Sequence, residues 1–169
     1  MRFIGCLLIA LAGAGLGLYG SHRLRRRAAY LHQTVSLLRA LERQLPYTAL
    51  PMAILWQQLA ASGAYEDCRL LQDTVDALRE DTAFIDAFSA AVDIACGAGL
   101  LTEAGRGLLQ ECGVGFGRYD LTRQTAHLQY YGDRAEEMAT ALMADASVQG
   151  RLYRVTGLAG GVALALLLL

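Results

Sequence analysis

Residues 121–169 read LTRQTAHLQYYGDRAEEMATALMADASVQGRLYRVTGLAGGVALALLLL, and two patterns meet inside that stretch. In its first half Leu121, Thr125, Leu128, Tyr131, Ala135, Met138 and Leu142 recur at steps of four and three, so they share one face of an α-helix. Asp120 stands just before the stripe, where a carboxylate caps free backbone N–H groups. From Leu152 to Leu169 the polar face is gone. Arg151 and Arg154 lie at the start of that run, no charge follows them, and its length suits a bilayer crossing. One helix therefore starts as the wall of a soluble bundle and ends as a membrane anchor.

The other end of the chain mirrors this arrangement. Phe3 to Tyr19 is apolar and just long enough to span a membrane, and Arg23, Arg25, Arg26 and Arg27 follow it. A cleaved signal peptide is the rival reading, because Ala12, Ala14 and Gly15 are small residues near the end of the run. Signal peptides carry their positive charges before the apolar core, whereas here only Arg2 precedes it, so an uncleaved anchor is the better reading. The arginine collars predict a two-pass topology with both termini outside and the body cytosolic. Gly157, Gly160 and Gly161 give the second anchor a small-residue face that another membrane helix could approach closely. The predicted organisation is a transmembrane helix at 1–20, a cytosolic helical bundle at 21–150 and a transmembrane helix at 151–169.

Composition agrees. The chain has 169 residues, 54% of them hydrophobic, a mean hydropathy of +0.31 and only two prolines, Pro46 and Pro51, which favours helix throughout. From Ala28 to Gly150 eight arginines face sixteen acidic residues, a balance of −8, while the basic collars suit anionic lipid headgroups. Leu24, Ala28, Leu31, Val35 and Leu38 predict a helix that continues to Leu45 and stops at Pro46. Pro51 suits the first turn of a second helix, running through Leu55 and Leu59 toward Gly63. A third is predicted over Tyr65–Glu80, with Leu70, Leu71, Val75 and Leu78 on one side. A fourth covers Phe84–Cys96, stopped by Gly97 and Gly99, and Thr102 with Glu103 opens a fifth that ends near Gly117. With no alternating strand pattern, the fold class is all-α, an antiparallel bundle whose first and last helices continue into the anchors.

Catalytic chemistry is hard to assemble from these residues. His22, His32 and His127 are isolated, and the adjacent Glu136 and Glu137 point to different sides of a helix. Cys6, Cys68, Cys96 and Cys112 are far apart with no paired spacing, and read as buried free thiols. Gly113-Val114-Gly115-Phe116-Gly117 resembles a phosphate loop, but no strand precedes it and no Lys-Ser/Thr follows. Close packing at Gly113 and a helix stop at Gly117 explain it better. No enzyme activity, cofactor, metal, nucleic acid or small-molecule substrate is expected. The acidic surface has two readings: solvation of the body, or docking of a basic partner on Asp73, Asp76, Glu80 and Asp81, the first three at helical spacing. If the strip only keeps the body soluble, the loops around Pro46 to Pro51 or Gly113 to Asp120 are the alternative docking place.

Several motifs together resemble the stage III sporulation protein AB family. Arg151, Tyr153 and Arg154 followed by Gly157, Gly160, Gly161 and a leucine-rich end resemble its carboxy terminus. Gly113 to Gly117 with Asp120, Gln124, His127 and Leu128 resembles its paired-glycine turn and the helix after it, and Tyr47 with Pro51 fits as well. Phe88 stands where the family favours Trp, and Ala53 and Ile54 where a charged residue is usual. The resemblance spans essentially the whole chain. It implies a subunit of the channel-like, secretion-related complex between mother cell and forespore in endospore-forming bacteria, distantly similar to the type II secretion and type IV pilus platform protein. The membrane around the forespore would hold it, its cytosolic bundle would contact the complex's ATPase, and its anchors would contact the other membrane subunits. A platform subunit of a secretion or pilus system is the alternative, disfavoured because such proteins are longer and carry two bundles; a small membrane-bound enzyme is the third reading.

Overall fold

The computed structural model describes residues 22–48, 50–78, 82–118, 120–148 and 152 in full, and the helical backbone alone of 2–21, 149–151 and 153–167. Among the described residues there are six α-helices and no strand: α1 (Arg2–Gln44), α2 (Met52–Ala61), α3 (Arg69–Leu78), α4 (Phe84–Gly97), α5 (Glu103–Val114) and α6 (Leu121–Leu167). The chain is all-α. It divides into two units, one of Met1–Arg26 with Ala141–Leu169 and one of Arg27–Thr140. Among the described residues no helix is long and apolar enough to cross a membrane. The two runs read as anchors fall almost wholly on residues whose side chains lie outside the described set.

In the Arg27–Thr140 unit the breaks come where backbone chemistry demands them. Pro46 lacks an N–H for the α1 ladder, and Leu45–Tyr47 tightens into a 3-10 turn before Thr48 extends. Pro51 sits at the N-cap of α2, its carbonyl accepting from the Ile54 and Leu55 N–H groups at 3.0 and 3.1 Å. α2 ends ahead of Gly63, which takes φ +70°. α3 begins at Arg69 and not at Tyr65, because Tyr65–Cys68 forms a separate turn closed by a Cys68 N–H to Tyr65 carbonyl bond of 3.0 Å. Its expected end at Glu80 lies outside the described residues. α4 closes through Gly99 at φ +72°, with the Leu100 N–H bonding the Ala95 carbonyl at 2.9 Å. Thr102 caps α5, its Oγ1 accepting from the Gly105 N–H at 3.1 Å.

The helices α2 to α5 pack each on the next. Beneath them lie Leu31, Leu37, Leu38, Leu41, Leu55, Leu70, Leu71, Leu101, Leu109 and Leu128, all fully buried. α1 carries more core than the single stripe expected: Tyr30, Thr34, Leu37, Ala40 and Leu41 are buried beside Ala28, Leu31, Val35 and Leu38. Burial thus covers more than one side of the helix, and Thr34 stays satisfied by donating to the Tyr30 carbonyl at 3.0 Å.

The face of α6 requires a correction. Leu121 is 47% exposed, and Thr125, Tyr131, Met138 and Leu142 are only half-buried. The buried line is Gln124, Leu128, Gly132, Ala135 and Ala139. Small residues there let α1 come close: Arg39 lies over Gly132 and pairs with Asp133 and with Glu136 at 3.3 Å. Leu128 and Ala135 of the expected stripe lie on this face; the stripe's other members do not, and Gln124, Gly132 and Ala139 take their place.

Candidate docking surface

The chemistry of isolated side chains comes first. Among the described residues no group of three His, Cys, Asp or Glu could hold a metal ion. Glu136 and Glu137 diverge, the first toward Arg39 and the second toward Arg134 at 2.8 Å. Cys68, Cys96 and Cys112 are free thiols. Cys68 and Cys112 are buried, and burial pushes the Cys112 thiol up to about 12, so it stays protonated and unreactive. Cys96 departs from the expectation of burial. It is half-buried at the end of α4, its Sγ 3.6 Å from a Glu103 carboxylate oxygen. Cys6 lies outside the described side chains.

Of the acidic strip, Asp73 and Asp76 can be placed, whereas Glu80 and Asp81 lie outside the described residues. Asp73 is half-buried on α3. Burial raises its carboxyl above the ordinary range, Arg69 one turn earlier draws it back down, and Asp76 pushes it up again. The two carboxylates do share a face, as the spacing requires, but Arg69 shares it too. The strip is thus less negative than the acids alone suggest.

The glycine turn shows why its residues are small. α5 ends at Val114, and Gly117 takes φ +74°, which only glycine adopts cheaply. A Cβ on Gly113 would stand 2.6 Å from the Phe88 ring, and one on Gly115 would stand 2.1 Å from Nε2 of His127. That imidazole lies 2.9 Å from the Cys112 carbonyl, one of the last carbonyls of α5, so its Nε2–H donates there. The next turn of α6 follows at once: the Gln124 N–H bonds the Asp120 carbonyl at 2.9 Å, Gln124 is buried, and Leu128 is 1% exposed. Gly113, Gly117, Asp120, Gln124, His127 and Leu128 are one local assembly.

A second assembly joins this turn to the starts of α2 and α4. Phe116 packs on Trp56 of α2 at 6.2 Å, on Phe84 of α4 at 5.7 Å and on Phe88 at 5.3 Å between ring centroids. Trp56 follows the α1–α2 connection by one helical turn, and Phe84 opens α4. The start of α2, the start of α4 and the turn after α5 therefore meet at one end of the unit. Tyr47 there is 89% exposed, Leu50 38%, Ile54 42%, Val114 48% and Leu121 47%. The sequence offers the loops around Pro46 to Pro51 and Gly113 to Asp120 as the alternative docking place, but not their joining into one exposed apolar end. The available signal was Tyr47 and Leu50 in a proline-framed connection, where no helical stripe absorbs them.

The family model for stage III sporulation protein AB matches residues 2–169. The chain belongs to the stage III sporulation protein AB family. Its role is therefore one at stage III of sporulation. No curated protein and no solved structure matches the chain. Of the residues that carry the family resemblance, Tyr47 and Pro51 fall in the exposed connection, and Gly113 to Leu128 form the packed turn. Arg151, Tyr153, Arg154, Gly157, Gly160 and Gly161 lie on α6 with side chains outside the described set.

Proposed function

We propose that this protein is a non-enzymatic membrane subunit of the stage III sporulation complex, the secretion-like assembly between mother cell and forespore. It crosses the membrane twice, with both termini outside and the residue 21–150 body in the cytosol. The body docks the complex's ATPase, and the anchors contact lipid and the other membrane subunits. The observation that carries this reading is the family match over residues 2–169. It is supported by two apolar runs, each collared by arginine on the side of the body, and by a helical unit with an exposed apolar end.

Topology and binding test it. Reporter fusions at both termini are expected on the non-cytosolic side, with added protease cutting only from the cytosolic face. Replacing Arg23, Arg25, Arg26 and Arg27 with Glu is expected to scramble that orientation, because the positive collar sets it. A cytosolic carboxy terminus in the unaltered protein would sink the two-pass reading. The full chain in lipid nanodiscs is expected to retain the purified ATPase of the same complex, where empty nanodiscs do not.

A further inference from the structure

Four arginines follow the first apolar run, and the structure separates one of them from the others. Arg23, Arg25 and Arg26 are exposed, whereas Arg27 is half-buried. Its position on α1 explains this. Steps of four, three, four and three lead from Arg27 to Leu31, Thr34, Leu38 and Leu41, all buried, so Arg27 opens the core-facing side of the helix. A guanidinium drawn out of water there needs an acceptor. It finds the Gly99 carbonyl: the Arg27 Nε–H donates to it at 3.0 Å, across 72 positions of sequence.

The acceptor belongs to the turn between α4 and α5. α4 ends at Gly97, the Ala98 and Gly99 N–H groups donate back to the Ile94 and Cys96 carbonyls at 2.9 Å each, and Gly99 takes φ +72°. The Leu100 and Leu101 N–H groups then both bond the Ala95 carbonyl, at 2.9 and 3.3 Å, and both leucines are buried. The chain thus folds back over the end of α4, where a cation is favourably placed against the helix dipole. α1 is one helix from Arg2 to Gln44, and Arg27 stands about 12 Å along it from Tyr19. A single side chain therefore joins the stretch of α1 that follows the first apolar run to a turn far away in sequence.

We propose that Arg27 is a strap: through its bond to the Gly99 carbonyl, a tilt of α1 at its membrane end is passed into the α4–α5 turn. The inference rests on the two-pass reading above and adds the residue that couples the first anchor to the body. The apolar run Phe3–Tyr19 makes about 25 Å of helix against a hydrocarbon core of about 30 Å, so bilayer thickness is a handle on that tilt.

The test follows amide hydrogen exchange at Leu100 and Leu101 in the full chain held in phosphatidylcholine nanodiscs. The Leu55 amide, bonded to the Pro51 carbonyl at 3.1 Å, serves as reference. Global destabilisation speeds all three amides together, whereas loss of the strap speeds the turn alone. Arg27→Met keeps the stem and removes every donor, and is expected to speed exchange at Leu100 and Leu101 at least about fivefold relative to Leu55. Arg27→Lys, which keeps a donor, should recover part of the protection. Arg25→Met removes an exposed charge from the same collar and should stay within about twofold of the unaltered chain. Moving the unaltered chain from dioleoyl to the thinner dilauroyl nanodiscs is expected to change exchange at the turn at least about threefold, and Arg27→Met to abolish that response. Turn amides that exchange alike with and without Arg27, no response to thickness in the unaltered chain, or a response that persists in Arg27→Met would each overturn the strap and leave the function standing. An amino-terminal reporter on the cytosolic side would overturn the two-pass reading itself, and the strap's membrane role with it.

Discussion

Two turns at the same end of the helical unit carry family-like residues, and they use them in opposite ways. In the α5–α6 turn every small residue has an internal reason: Gly113 makes room for Phe88, Gly115 for His127, and Gly117 supplies the positive φ. In the α1–α2 turn Pro46 and Pro51 set the backbone, but Tyr47, the largest side chain there, is 89% exposed. A family pattern therefore mixes two kinds of residue. Some are required by the fold, and others are presented by it. Substitution separates them, because the first kind should register in stability and the second only in binding.

The largest effect belongs to the packed turn. Leu128 is 1% exposed and follows His127 on α6. Leu128→Asp puts a carboxylate into the core with no prepared partner, which costs about 4 kcal/mol or more. The variant is expected to lose its cooperative melt by circular dichroism. Gly115→Ala should come next. Its Cβ falls 2.1 Å from Nε2 and 2.4 Å from Cε1 of His127, so the ring must leave and its bond to the Cys112 carbonyl is lost. A loss of about 2–3 kcal/mol is expected in denaturant titrations. Adding His127→Ala should remove most of the extra cost of the methyl group, a coupling that a double-mutant cycle reads directly. If Gly115→Ala melts like the unaltered protein, the claim that fold requirements dictate this turn fails.

Much of this was legible in the sequence, and the misreadings have physical causes. The helices followed from apolar periodicity, and most ends from proline and glycine chemistry, because these are local signals. The start of α3 was misjudged because Tyr65–Cys68 has helix-compatible composition yet closes as a separate turn after Gly63. Leu128 and Ala135 were placed correctly, but the rest of the buried face of α6 was misjudged because Gln124 and Gly132 carry no apolar signal and Ala139 only a weak one. Close packing at Gly113 and a stop at Gly117 were readable. The demand on Gly115 was not, since it comes from a residue twelve positions away. The exposed apolar end was legible only in part: its two loops could be named, but the sequence drew Leu121 into the core stripe and α6 turned it outward.

At intermediate size stands Gly113→Ala. The Cβ would meet the Phe88 ring at 2.6 and 2.9 Å, but a ring edge can tilt where a helix backbone cannot. About 1–2 kcal/mol is the expected cost, smaller than at Gly115 because no hydrogen bond is broken with it. Tyr30→Phe should act in the other direction. Its hydroxyl is buried with no hydrogen-bond partner among the described residues, so deleting it is expected to raise stability by about 1 kcal/mol. Tyr47→Asp, by contrast, should move stability by no more than about 0.5 kcal/mol. A large loss at Tyr47 would erase the contrast between the turns, since the residue would then be holding the fold.

The smallest effect concerns Asp73, which is neither locked in the core nor fully presented. Burial raises its carboxyl, only partly offset by Arg69, so the folded protein holds this proton to higher pH than the unfolded chain does. In the window between the ordinary carboxylate value and the raised one, the folded state binds more protons. Stability contributed by this group therefore falls as pH rises through that window. Asp73→Asn keeps the shape and removes the titration, so it is expected to melt slightly higher than the unaltered protein at neutral pH. That gain should vanish in acid, where both side chains are uncharged. Because the carboxylate is partly solvated, water and salt screen the effect, and it should stay below about 0.5 kcal/mol. The sign is the informative part. Melting midpoints of the two proteins across the acidic range that converge as pH falls would identify Asp73 as a carboxylate tolerated at some cost to the fold. A neutral-pH loss on Asp73→Asn would instead mean that the ionised group is favoured by Arg69, making the strip a structural ion pair.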